Sequence, residues 1–159
     1  MTRVPALATA LLLTLLARPA AADLTAFLGT ATSPEARVVK GASVGTGFLV
    51  LGFEFEYATT DGDLARLAPS LKTGMANALL QSPVPVLRMQ PYFTTGLGLY
   101  RERLGTATDT GLGFNTGGGV KISLAGPLRV RLDYRVFRLG SSAVVSPSHR
   151  FYAGLNLKF

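Results

Sequence analysis

The sequence predicts an all-β chain, an eight-stranded antiparallel up-and-down barrel that crosses a membrane with its strands. Three observations predict it. Segments of about ten residues repeatedly alternate an apolar side chain with a polar or small one, the period of a strand with one greasy face. Apolar residues make up 48% of the chain and charged ones only 16%, with a mean hydropathy of +0.33. Yet no uninterrupted apolar run after residue 22 is long enough for a transmembrane helix. Long polar links also alternate with short ones, as they do when loops lie on one side of a membrane and tight turns on the other. The competing reading is a soluble all-β domain.

Residues 1–22 read as a signal peptide. Arg3 supplies a positive start, Ala6 to Leu16 an apolar run too short to span a bilayer, and Ala20-Ala21-Ala22 the small residues for cleavage before Asp23. The barrel domain is then 23–159. Without cysteine there is no lipoprotein processing, no disulfide and no thiolate chemistry.

The first strand is expected over Leu24 to Thr32, followed by a loop at Thr32-Ser33-Pro34-Glu35. Arg37 to Tyr57 is too long for one membrane strand and divides near Phe48–Leu51. Its second half sets Leu51, Phe53, Phe55 and Tyr57 against Gly52, Glu54 and Glu56. Asp61-Gly62-Asp63 and Pro69 mark a polar loop over 59–70. Ser70 to Gln81 follows, with Leu71, Thr73, Met75 and Leu79 assigned to the lipid face and Lys72 to the interior. After a break at Ser82-Pro83-Val84-Pro85, Arg88 to Arg101 alternates Phe93, Thr95, Leu97 and Leu99 with Tyr92, Thr94, Gly96, Gly98 and Tyr100.

Arg103 to Gly111 reads as a further long loop. Leu112 to Leu124 places Asn115, Gly117, Gly119 and Lys121 on one face. Ala125-Gly126-Pro127 is a tight turn. Leu128 to Leu139 is the most legible strand, with Leu128, Val130, Leu132, Tyr134 and Val136 opposite Arg129, Arg131, Asp133 and Arg135. After a loop over 140–148, His149 to Phe159 alternates Phe151, Ala153, Leu155, Leu157 and Phe159 with Tyr152, Gly154, Asn156 and Lys158. Eight strands put both ends of the mature chain on one side of the membrane.

The face opposite the lipid carries Glu54, Glu56, Glu102 and Asp133 together with Lys72, Lys121, Arg129, Arg131, Arg135 and Lys158. In a closed barrel these charges share one small interior, and unpaired buried charge is very costly. Acids and bases are therefore expected to interlock. The inward glycines 96, 98, 117, 119 and 154 leave room for Arg and Tyr side chains. The expectation is a filled polar core, since eight strands enclose only what side chains can fill.

The formal charge is +7. Without Arg3 and Arg18 the mature chain keeps 14 basic residues against nine acidic ones, or +5. No basic run interleaves with aromatics, so nucleic acid is not an expected partner. Pairing inside the barrel, or contact with anionic lipid head groups, is a better use of the charge. Gly117-Gly118-Gly119 lacks the strand–loop–helix context of a phosphate cradle. No cofactor or metal site is expected; one His, His149, does not make one.

The segments GFEFEYA (52–58), PYFTTGLGLYRE (91–102), GFNTGGGVKISL (113–124), LRVRLDYRVFRLG (128–140) and HRFYAGLNLKF (149–159) resemble the small outer-membrane β-barrel superfamily, that of the OmpA-type transmembrane domain and its Opa-like relatives. The resemblance implies residence in the cell outer membrane, contact with its lipids and delivery by the outer-membrane assembly machinery. Phe151, Leu155, Leu157 and Phe159 match the C-terminal pattern which that machinery reads. A monomer with a structural or surface-interaction role, an unidentified extracellular partner bound through its loops, and no catalysis is the primary expectation. Two alternatives stand beside it. One is a small pore. The other is a lipid hydrolase built on His149 with Ser146 or Ser148 and a carboxylate from Glu54, Glu56 or Glu102.

Overall fold

A computed structural model describes residues 21–33, 35–144 and 146–159. Residues 1–20, and with them nearly all of the expected signal peptide, lie outside the described residues. The strands are β1 (Ala21–Ala31), β2 (Arg37–Phe48), β3 (Leu51–Thr60), β4 (Ser70–Gln81), β5 (Met89–Leu104), β6 (Ala107–Ala125), β7 (Leu128–Arg138) and β8 (Ser148–Lys158). Each pairs antiparallel with the next, and β8 returns to β1 from Asp23↔Lys158 to Ala31↔Arg150, so the sheet closes into a barrel. Closure leaves no strand edge unpaired. The backbone of Ala22 exchanges two hydrogen bonds with that of Phe159, at 2.8 and 3.0 Å.

Alternation decides the two faces. On β3, Gly52, Glu54, Glu56 and Ala58 point into the barrel, while Leu51, Phe53, Phe55 and Tyr57 stand exposed outside. β7 does the same with Arg131, Asp133, Arg135 and Phe137 inside. The outer wall is consequently a band of large apolar side chains, and the inner one holds the charged residues together with two apolar clusters, one around Phe27, Val39 and Tyr152 and one around Leu71, Met75 and Phe137. This inverts the arrangement of a water-soluble protein. No helix among the described residues is long and apolar enough to cross a membrane, which says nothing about crossing with strands.

Two expectations are corrected. The first is the long loop over 103–111. β5 and β6 instead continue past the barrel rim and meet in a two-residue turn, with Arg103 opposite Thr108 and Leu104 opposite Ala107. Gly105, at φ +60°, supplies the left-handed backbone that a tight hairpin needs. Link lengths therefore do not alternate cleanly: the 105–106 turn is short, while the 82–88 link on the opposite side is longer. The second concerns β4. Leu71, Met75 and Leu79 face inward, and Lys72, Gly74, Ala76 and Ala78 face outward. Pairing with β3 fixes this, because Glu54 stands opposite Asn77 and Glu56 opposite Met75. Residues directly opposite one another in a ladder share a face. The division of 37–57 falls as expected, at Leu49-Val50, though with Leu49 at φ 53° and no glycine to mark it.

Candidate functional site: the charged interior

The interior charges gather mostly on β3 and β7, which face each other across the barrel. Period two brings Glu54 and Glu56 inward on β3, and Arg131, Asp133 and Arg135 inward on β7. The Arg131 guanidinium grips both carboxylate oxygens of Glu54 and donates through Nε to Asp133 at 2.8 Å. Arg135 donates to Glu54 at 3.0 Å and to Asp133 at 3.0 Å, and pairs with Glu56 at 2.9 Å. Tyr92 of β5 donates its hydroxyl to Asp133 and accepts from Arg131 Nε at 2.7 Å. Tyr152 of β8 donates to Glu56 at 3.0 Å.

Ser43 and Asn77 complete the shell of Glu54, and Asn115 donates to Asn77 at 2.7 Å. Forked Arg–carboxylate contacts of this kind are among the strongest hydrogen bonds a protein makes. Arg150, buried opposite Arg135 on the β7–β8 ladder, bonds Thr73 rather than a carboxylate, and with it the interior holds three guanidiniums alongside the three carboxylates of Glu54, Glu56 and Asp133.

Small residues make this packing fit. A Cβ on Gly119 would sit 2.5 Å from the Tyr92 hydroxyl, and one on Gly117 would sit 2.8 Å from the Cα of Arg135. Glycine is required wherever a bulky neighbour approaches the strand so closely.

Outside the central layer the charges are fewer. Towards the chain ends, Lys121 pairs with Asp23 at 2.5 Å, and half-buried Arg129 donates to Gln90 at 3.2 Å. Towards the loops, Glu102 is buried and accepts from the Val144 backbone at 2.8 Å. Lys158 is exposed at the rim and does not enter the network. Lys72 does not enter it either, because the β3–β4 register turns it to the outer wall.

Several interior residues are not evident from the sequence, among them Asp23, Ser43 and Gln90 named above, and Arg150, Arg37 and Asn77. Arg150 is fully buried, donates to Thr73 at 3.0 Å and lies 4.0 Å above the Phe137 ring. It precedes the visible alternation of β8, but extending that alternation back from Tyr152 would have reached it. Arg37 bridges the Ser33 and Pro69 carbonyls at the loop-side rim. Asn77 belongs to the strand whose faces were exchanged.

The hydrolase constellation is not assembled. His149 projects from the outer face of β8, and its Nδ1 lies 2.8 Å from the Tyr134 hydroxyl. Glu54, Glu56 and Glu102 lie on the inner face, across the barrel wall from it. Ser148 is buried inward, and the Ser146 hydroxyl accepts from the Leu139 amide at 3.1 Å. No group of three or more metal-ligating side chains occurs among the described residues. Phe151, Leu155, Leu157 and Phe159 all stand on the outer wall.

No family model matches the chain, and no curated protein matches it by sequence. Solved structures do match. Neisserial surface protein A superposes with a TM-score of 0.69 at 20% identity, over 87% of this chain and 96% of that one. The N-terminal β-barrel domain of Pseudomonas aeruginosa OprF gives 0.66 at 13%, over 87% and 97%. The outer membrane enzyme PagL gives 0.56 at 11%, over 85% and 98%. At these identities the likeness is one of fold, and the fold is that of the small eight-stranded outer-membrane β-barrels.

Proposed function

We propose that the chain is an integral outer-membrane protein, exported by a cleaved signal peptide, whose barrel is a filled structural anchor presenting its loops at the surface. One observation carries this reading: the barrel is apolar outside and plugged inside by the network of Glu54, Glu56, Arg131, Asp133 and Arg135. A soluble protein has no use for an outer band of Phe, Leu and Tyr. A pore needs a continuous water path, and side chains occupy the place where that path would run. The fold itself does not decide catalysis, since an outer membrane enzyme is among its matches. The engagement of His149 by Tyr134, away from any carboxylate, speaks for a non-catalytic barrel. Its partners in this reading are outer-membrane lipids and, during biogenesis, the assembly machinery acting on the Phe151–Phe159 strand.

The test is the mature chain refolded in detergent. Unboiled and boiled samples are compared on a denaturing gel, and the same sample is placed in a planar bilayer. A size shift on boiling, a β-rich spectrum and no steady conductance are expected. Solubility without detergent would overturn the membrane reading. Steady conductance would replace the anchor with a small pore.

A further inference from the structure

We propose that the outer wall over β3, β4 and β5 is a lipid site, which holds an acyl chain along β4 and a phosphate monoester head group between Lys72 and Arg101. The inference rests on the membrane reading above.

The tail site follows from the outward residues of β4. Gly74, Ala76 and Ala78 are all small. The register places Gly74 between Tyr57 and Leu99, and Ala76 between Phe55 and Leu97. Large side chains on both flanks and almost nothing between them make a furrow. It opens into a shallow surface hollow of about 650 Å³ that extends from Val44 and Tyr57 to Leu99 and Leu112, and an adjoining hollow of about 500 Å³ lies beside Ala76 and Ala78. A Cβ on Gly74 would meet nothing within 4 Å, so the floor there is open.

The head-group site follows from what stands above Gly74. Lys72 is the next outward residue, and it is directly opposite Arg101 across the β4–β5 ladder. Both are exposed. Like charges opposite one another are unfavourable on a sheet, and neither has an acidic partner among the described residues. Lys40, at the same level beyond Thr59, is by contrast neutralised by Asp61 at 3.5 Å.

Depth agrees with this assignment. Tyr57 and Leu99, the outward residues flanking Gly74, are the last large apolar side chains on this part of the wall, and the next outward residues towards the loops are Thr59, Lys72 and Arg101. Lys72 and Arg101 thus lie at the loop-side edge of the apolar band, where lipid phosphates are found. Two uncompensated cations match a dianionic phosphate monoester better than a zwitterionic head group.

Native mass spectrometry of the detergent-refolded barrel tests the site. Phosphatidic acid and phosphatidylcholine of identical acyl chains are titrated separately. One phosphatidic acid is expected to be retained per barrel at about tenfold lower lipid concentration than phosphatidylcholine. Lys72→Ala/Arg101→Ala should abolish that preference, and Gly74→Leu, filling the furrow, should weaken retention of both lipids. Millimolar inorganic phosphate should leave the lipid bound; displacement by it would make this a free-phosphate site and overturn the proposal. Equal retention of the two lipids, or a preference that survives the double substitution, would also overturn it. The gel shift on boiling is recorded for every sample. Its absence in the unsubstituted protein would strike the membrane reading, whereas a shift without lipid preference would strike the lipid site alone.

Discussion

Arg131 and Glu54 are 77 residues apart in sequence, yet the guanidinium of one forks onto both carboxylate oxygens of the other at the centre of the barrel. The pair joins β7 to β3 across the interior, so it holds walls together that no backbone hydrogen bond connects. Arg135 adds a second link to Glu54 and a first to Glu56. The same contacts that neutralise buried charge also occupy the lumen. Stability and closure to water therefore have one origin, and substitutions in the network should affect both.

Glu54→Ala leaves Arg131 and Arg135 each short of a partner. Removing one member of a buried ion pair costs about 3–5 kcal/mol. The urea midpoint of the barrel refolded in lipid vesicles should fall accordingly. Glu35→Ala breaks only an exposed pair with Arg66 at 3.1 Å, and should change stability by about 0.5 kcal/mol or less. Equal effects of the two substitutions would mean that the interior network contributes no more than a surface pair.

Glu54→Ala/Arg131→Ala/Arg135→Ala opens the most space at the centre of the barrel, and it leaves Asp133 and Glu56 with the hydroxyls of Tyr92 and Tyr152 in place of their arginines. The unsubstituted barrel should show no steady current in a planar bilayer, and the triple variant should conduct. Silence from the triple variant, with its gel shift on boiling intact, would mean that other side chains such as Tyr92, Arg150 and Tyr152 suffice to block the lumen.

How much was legible follows strand by strand. β7 could be read directly, because Arg129, Arg131, Asp133 and Arg135 alternate with large apolar residues and only one face suits lipid. β4 misled for a physical reason. Its inward face carries Leu71, Met75 and Leu79, its outward face only Gly74, Ala76 and Ala78, and the pairing with β3 decides between them. Hydropathy alone cannot make that choice when lipid accepts alanine and glycine as readily as leucine. The same exchange of faces misplaced Lys72 and concealed the outer furrow. The central pairs were legible as a set of charges needing partners, but partner choice depends on strand stagger around the closed barrel. Period two does not carry that information.

Gly119 and Gly74 should respond oppositely to a methyl group. At Gly119 a Cβ would lie 2.5 Å from the Tyr92 hydroxyl, which is itself bound to Arg131 and Asp133. Overpacking of this kind costs about 1–3 kcal/mol. Gly119→Ala should therefore lower the urea midpoint and weaken the Tyr92 contacts. Gly74→Ala meets nothing within 4 Å and should leave the midpoint within experimental scatter. A loss at Gly74 equal to that at Gly119 would remove the distinction between a packed inner face and an open outer one.

Tyr134 and Phe151 test whether the outer wall is more than a solvent for lipid. They are directly opposite across β7 and β8, with ring centroids 4.5 Å apart, and Tyr134 also engages His149 at 2.8 Å. Aromatic pairs in such positions couple by about 0.5–1.5 kcal/mol beyond the area they bury. A double-mutant cycle of Tyr134→Ala and Phe151→Ala in vesicles should return a coupling in that range. In the cycle with His149→Ala, Tyr134 should couple more weakly, through a single exposed hydrogen bond. Strict additivity of Tyr134→Ala and Phe151→Ala would mean that each ring interacts with lipid alone. The stabilisation of β8 against β7 would then rest on the backbone ladder and on the inward pairs, Asp133 with Tyr152 and Arg135 with Arg150, that the same register sets.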